Sequence, residues 1–233
     1  MNALAIAIAL LAGAQGTDNL SEGTKTGSRL DPATRVTTNA DTSARDAAML
    51  RFIECAVARR ETKLRTLIDT RSEQTYQKSL DSLSDVQRCS LDAYVSQDAS
   101  VISFGSDRGT LRGFVAEAFV EKDLGRAEQL AALPAQRVYL RDWYEMTGRA
   151  RPIDEMAACV ADTNPAGVIA LLRTGIGTKA EKSAVAAIAP SLGACLATGY
   201  KLNANRLGLR TALAEGLYHR TFDAPATAAE GAN

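Results

Sequence analysis

The sequence predicts an all-α fold made of two tandem copies of a short-helix unit. Each copy carries one internal disulfide, and the copies pack with approximate pseudo-twofold symmetry. Three observations lead there. Apolar residues recur at helical i, i+3, i+4 spacing, and no stretch shows convincing strand alternation. The four Cys sit in two matching frames, and the helix that closes each half is written twice. Aromatics are only 5% of the chain, so the core is built from Ala, Leu, Ile and Val, which lets helices pack closely.

Residues 1–14 read as a signal peptide. The run 3–14, ALAIAIALLAGA, is uncharged and apolar, too short to span a bilayer and suited to an h-region. Ala12-Gly13-Ala14 is an A-x-A cleavage signal with Gln15 as the mature start, although the n-region has no Lys or Arg. Residues 15–42 are rich in Thr, Asn, Asp, Gly and Ser and are expected to be disordered, like the Ala- and Thr-rich tail 221–233. Between them lie helical repeat 1 (43–123), a connector (124–149) and helical repeat 2 (150–220).

Helix starts are well marked. Ser43-x-x-Asp46 approximates a capping box, and Asp107 and Asn205 are N-cap residues. Asn164-Pro165 supplies an N-cap followed by Pro at N1, and Thr178-x-x-Glu181 is a full capping box. Pro190 is expected to break or restart a helix, with Ser84 as its counterpart. Two weak strand candidates are 99–104 and 138–144.

The duplication is read from paired positions. Cys55 opens Cys-Ala-Val-Ala and Cys159 opens Cys-Val-Ala. The triples Leu64, Leu67, Ile68 and Val168, Leu171, Leu172 precede Thr70 and Thr174. RGTLRGFVAEAFVEK at 108–122 matches RLGLRTALAEGLYHR at 206–220, with Arg112 and Glu117 aligned on Arg210 and Glu215. In an exported chain, four Cys imply two disulfides, Cys55–Cys89 and Cys159–Cys195, one within each copy. Each loop of about 35 residues then contributes roughly 3–4 kcal/mol in the chain-entropy model.

Composition excludes several functions. Lys plus Arg and Asp plus Glu both number 27, so no dominant basic surface for nucleic acid exists. One His excludes His-pair and His-triad metal sites, and no Cys-x2-Cys is present. No cofactor and no metal are expected, nor a transmembrane segment in the mature chain.

Among candidate residues, Arg112, Glu117, Arg210 and Glu215 could bind an anionic ligand. Five apart on one helix, an Arg and a Glu do not face each other, so pairing with the opposite helix or the other copy is the simpler expectation. Tyr139, Arg141, Trp143 and Tyr144, with Arg137, Arg149 and Arg151 nearby, interleave aromatics and Arg as binding hot spots do, and form the expected partner surface. The competing expectation is a connector packed between the copies. His219, at the end of the last helix, suits the helix dipole better than a catalytic triad, and no Gly-x-Ser-x-Gly elbow is present. Thr174-Gly-Ile-Gly-Thr-Lys179 lacks Walker spacing and reads as an interhelical turn.

The Cys-Val-Ala start, the helix ending Leu-Leu-x-Thr, the second Cys and the closing Leu-Arg-x-x-x-Ala-Glu resemble a group of uncharacterised exported bacterial α-helical proteins with duplicated Cys-pair repeats. The resemblance covers most of Phe52–Arg220, implies no assigned activity and carries over no catalytic residue. The first copy departs from it in its long loop and in the charged segment Arg59–Arg65. The expected function is a non-enzymatic exported protein, periplasmic or secreted, with a binding or structural role and a protein partner in the envelope or exterior. The alternatives are a hydrolase-type enzyme using Glu, Asp or Arg residues, and an envelope stress or chaperone-like binder.

Overall fold

A computed structural model describes residues 39–81, 89, 107–200, 202 and 205–223. These contain eight α-helices and no strand. They are α1 (Asn39–Asp69), α2 (Glu73–Asp81), α3 (Arg108–Lys122), α4 (Leu124–Glu128), α5 (Arg151–Thr163), α6 (Pro165–Leu172), α7 (Lys179–Cys195) and α8 (Arg206–Phe222), with a 3₁₀ helix at Asp142–Met146. No helix among them is long and apolar enough to cross a membrane. The signal peptide, the Ser84 helix start, the strand candidate 99–104, nearly all of segment 15–42 and most of the tail lie outside the described residues.

The centre of the molecule is the pair α3 and α8, both almost wholly buried. Gly113 makes their approach possible. A Cβ there would sit 2.2 Å from Thr211 Cβ and 2.5 Å from its carbonyl oxygen. Gly216 does the same on the next face, where an added Cβ would meet the Ala157 carbonyl oxygen at 2.7 Å. Around this pair, α1 packs on α3, and α5 and α6 pack on α8. The apolar triples lie where the i, i+3, i+4 rule places them, with Leu64, Leu67, Ile68, Val168, Leu171 and Leu172 all buried.

Both disulfides form as expected, Cys55–Cys89 and Cys159–Cys195, each with a Cα–Cα distance of 5.6 Å. Four helix starts are capped as read from sequence. Asp107, Asn164, Thr178 and Asn205 accept from the backbone N–H groups of Thr110, Gly167, Glu181 and Gly208 at 2.7–3.1 Å. The Thr178 box is closed by Glu181, whose Oε2 accepts from Gly177 N–H, one residue before the cap, at 2.9 Å. The segment 174–178 is indeed a turn between helices, with Gly177 at φ +77°.

Four expectations are corrected. First, α1 starts at Asn39, not Ser43, because neither Gly nor Pro interrupts Asn39–Asp46. It also bends at a kink at Arg60 (φ −133°, ψ 39°). Second, Pro190 lies inside α7 without ending it. An interior Pro costs a helix about 3 kcal/mol. Here the flanking turns are held by buried Ile188 and Leu192 and by the Cys195 disulfide. Third, 138–144 is no strand, since Asp142–Met146 coils into the 3₁₀ helix. Fourth, the last helix runs through Thr221 and Phe222, two residues assigned to the tail. Thr221 is buried and donates its hydroxyl to the Leu217 carbonyl at 2.7 Å.

Candidate functional site

Arg112, Glu117, Arg210 and Glu215 meet in the core as a crossed pair. Arg112 on α3 donates to Glu215 Oε1 on α8 through Nε at 2.7 Å and lies 2.6 Å away through Nη2. Arg210 on α8 grips Glu117 on α3, with Nε 3.0 Å from both carboxylate oxygens. Each guanidinium also fills the end of a helix. Arg112 donates to the carbonyls of Leu67 (3.0 Å) and Ile68 (2.7 Å) at the end of α1. Arg210 donates to those of Leu171 (3.2 Å) and Leu172 (2.7 Å) at the end of α6. The last carbonyls of a helix have no partner within it, so these bonds satisfy acceptors that would otherwise be buried unpaired. None of the four side chains exceeds 1% exposure, and their charges are spent on one another and on backbone.

Neighbours complete the network. Arg149, from the connector, donates to Glu215 Oε2, to Asp154 Oδ1 at 2.7 Å and to the Gly109 carbonyl at 2.9 Å. Glu181 faces Arg210 at 3.3 Å. Burial pushes the Glu215 carboxyl up, but Arg112 and Arg149 beside it outweigh burial and hold it below the usual carboxylate range. Glu117 is raised, because burial outweighs its Arg210 contact. Further along α3, burial, the Glu117 charge and a hydrogen bond with Glu54 push Glu121 up to about 8.

Burial decides for the packed connector and against the partner surface. Tyr139, Trp143 and Tyr144 are buried and form a small cluster with Ala158 and Cys159. Trp143, the chain's single Trp, stacks on His219 with ring centroids 4.6 Å apart and planes 10° from parallel, and meets Tyr144 edge-on at 4.5 Å. An aromatic residue on a connector over two helices gains more from covering their apolar faces than from facing water. Of that group Arg141 keeps partial exposure, with Nη2 3.7 Å from Asp162 Oδ2.

Behind this cluster lies a cleft of about 640 Å³ between the connector and the last turns of α8. Arg71, Arg126, Arg141 and Arg220 line it together with Asp142, Asp162 and Asp223, and Arg141 and Arg220 both pair with Asp162. Leu130, Leu133 and Leu140 supply an apolar wall, and Trp143 and His219 also line it. Arg220 is fixed by Asp162 Oδ1 (2.5 Å) and by the Ala131 carbonyl (2.8 Å). Arg126 lies over the Phe222 ring at 5.0 Å. Among the described residues four buried polar atoms lack a hydrogen-bond partner: Trp143 Nε1, Asp162 Oδ2 and His219 Nε2, on residues that line the cleft, and Tyr144 Oη. Such orphans cost about 1–3 kcal/mol each until an acceptor or donor arrives. Glu121 does not line the cleft.

His219 lies in the last turn of α8, buried, with Nδ1 3.0 Å from Asp223 Oδ2 and Nε2 3.9 Å from Glu215 Oε1. Asp69, His219 and Asp223 each place one ligand-type atom within 4.8 Å of the others. Sequence reasoning missed this grouping and the Arg71, Arg126, Arg220 and Asp162 wall. The i, i+4 pair His219/Asp223 was the available signal, hidden by assigning Asp223 to the tail.

Compared with protein-family models, with curated proteins and with solved structures, the chain matches none. The resemblance to exported helical proteins rests on the motifs quoted above.

Proposed function

We propose that the chain is an exported, disulfide-reinforced binding protein, built by duplication of one helical unit, whose cleft takes a small ligand that joins an anionic group to an apolar part. The cleft carries the reading. Its volume falls in the range of small-molecule sites, roughly 300–1,000 Å³, and its lining combines four Arg with Leu130, Leu133 and Leu140 beside the unpaired N–H of Trp143. Export is supported by the signal-like start and by disulfides, which persist in oxidising compartments.

Duplication with pseudo-twofold packing is supported by the crossed pair. Arg112 and Arg210 reach carbonyls at matching positions of the two Cys frames. The Arg60 kink in α1 and the Asn164 break between α5 and α6 are separated as Cys55 and Cys159 are, and both adopt similar backbone angles. Two copies of one apolar face cover each other most economically about such an axis.

The test is native mass spectrometry of untagged protein purified from its own compartment, followed by titration of the freed ligand against Trp143 fluorescence. A retained anionic molecule whose affinity falls in Arg126→Ala and Arg141→Ala supports the proposal. A protein that comes through empty, and whose fluorescence no alkyl carboxylate or phosphate changes, overturns it. A second reading, a protein partner in the envelope, draws on a different observation: Val138 and Leu140 on the connector stand 62% and 63% exposed. Loss of a co-purifying protein in Val138→Ser/Leu140→Ser would favour it.

A further inference from the structure

We propose that Asp69, His219 and Asp223 form a binding site for a borderline divalent transition metal ion, one nitrogen and two oxygens in a shared cluster at the rim of the cleft. The three residues come from two helix ends. Asp69 closes α1, His219 stands on the last turn of α8, and Asp223, four residues on, is the residue that caps it. Both ends are C-terminal, where the exposed carbonyl dipoles favour a cation. Around Zn²⁺ at about 2.0–2.2 Å, tetrahedral ligand atoms are about 3.4 Å apart. His219 Nδ1 and Asp223 Oδ2 are already at 3.0 Å, and exposed Asp69 places a carboxylate oxygen within 4.8 Å of both.

The observation that lifts this above a cluster of carboxylates is His219 itself. It is 5% exposed, its Nδ1 makes its hydrogen bond within the cluster, and its Nε2 has no hydrogen-bond partner. With Nδ1 on a metal, Nε2–H points toward the buried Glu215 carboxylate, 3.9 Å away. A metal-bound imidazole commonly has such a carboxylate behind it, which fixes its tautomer. Asp69 is oriented in the same way, since Tyr218 Oη donates to its Oδ1 at 2.8 Å. Of the guanidinium groups nearby, Arg65 bonds Glu61 and Tyr218, Arg71 bonds the backbone carbonyls of Asp69 and Thr70, and Arg126 lies over the Phe222 ring, so each has its partners outside the two carboxylates. The imidazole disfavours Ca²⁺ and Mg²⁺, and three protein ligands leave at least one position for water or an anion from the cleft. This proposal stands whether or not the cleft binds an organic ligand.

Trp143 makes the site directly observable, because the chain's single indole stacks on its single imidazole. Untagged, chelator-stripped protein is titrated with Zn²⁺, following Trp143 fluorescence and heat. Saturable one-to-one binding is expected, weakened by about tenfold or more in Asp69→Asn and in Asp223→Asn. Asp142→Asn, which lines the same cleft outside the cluster, should leave the affinity unchanged. His219→Gln should abolish binding. Because that change also removes a stacked ring, the two exposed Asp variants carry the decision if it fails to fold. Absence of saturable Zn²⁺ binding, or affinity unaltered in both Asp variants, overturns the proposal.

Discussion

Removing Glu215 should unfold this protein more readily than any loss of a surface charge. In Glu215→Leu, Arg112 loses both contacts to Oε1 and keeps the carbonyls of Leu67 and Ile68. Arg149 loses Oε2 and keeps Asp154. One guanidinium is then buried with no counter-charge in bonding contact, a situation that costs about 3–5 kcal/mol. Native proteins have about 5–15 kcal/mol in total, so the loss is a large fraction of the whole. Arg112→Met has a different origin of cost. Glu215 keeps Arg149, but two buried carbonyls lose their donor, at about 1–3 kcal/mol each. The double variant should lose less than the sum of the singles by about 1–3 kcal/mol, since each removes a partner the other needs. The assay is urea unfolding at pH 7, read by circular dichroism and by Trp143 fluorescence, with the denaturant slope checked for constancy. A cost below about 1 kcal/mol for Glu215→Leu, the range of exposed ion pairs, would refute the reasoning. So would strictly additive singles.

Other outcomes follow from the same structure. Gly113→Ala should destabilise by about 1–3 kcal/mol or more despite alanine's helix preference, because its Cβ would lie 2.2 Å from Thr211 Cβ. Gly193→Ala, exposed in α7 with nothing within 4 Å, should stabilise by about 0.5–1 kcal/mol in the same unfolding assay. Removing one disulfide as Cys159→Ala/Cys195→Ala should cost about 3–4 kcal/mol, less any strain it held, and a non-reducing peptide map should recover only Cys55–Cys89. The Glu121 carboxyl, on a partly exposed side chain, is pushed up to about 8 in the fold against an ordinary value of 4.5. Its contribution to stability is therefore complete below about pH 4.5 and is lost as pH rises through 8. The melting temperature should fall over that window, and Glu121→Gln should flatten the slope.

Local chemistry made much of this fold legible. Asp107, Asn164, Thr178 and Asn205 announce helix starts because a side-chain oxygen bonding a nearby N–H is a contact of three residues, written wholly in the local sequence. The Leu64, Leu67, Ile68 stripe and its counterpart are equally local. The disulfides were legible at longer range because matching frames left one consistent pairing. Pro190 and the end of α8 misled for the complementary reason. Propensity speaks for an isolated segment, whereas buried Ile188, Leu192 and Thr221 are held by neighbours distant in sequence.

The sequence by itself determined helix class, capped starts and cysteine pairing, since each depends on spacing along one chain. It also singled out Arg112, Glu117, Arg210 and Glu215 and favoured their pairing across helices. Tertiary structure alone decided that they cross in a dry core. Only the approach of α3 to α8, made possible by Gly113, places each guanidinium at once on a carboxylate and on a helix end. The cleft belongs to the fold in the same sense. Arg71, Arg126, Arg141 and Arg220 are scattered over the sequence and converge because the connector lies across α8. Burial of Trp143 on His219 turned an expected surface into a wall, for the area it covers there exceeds what a polar tip could offer in water.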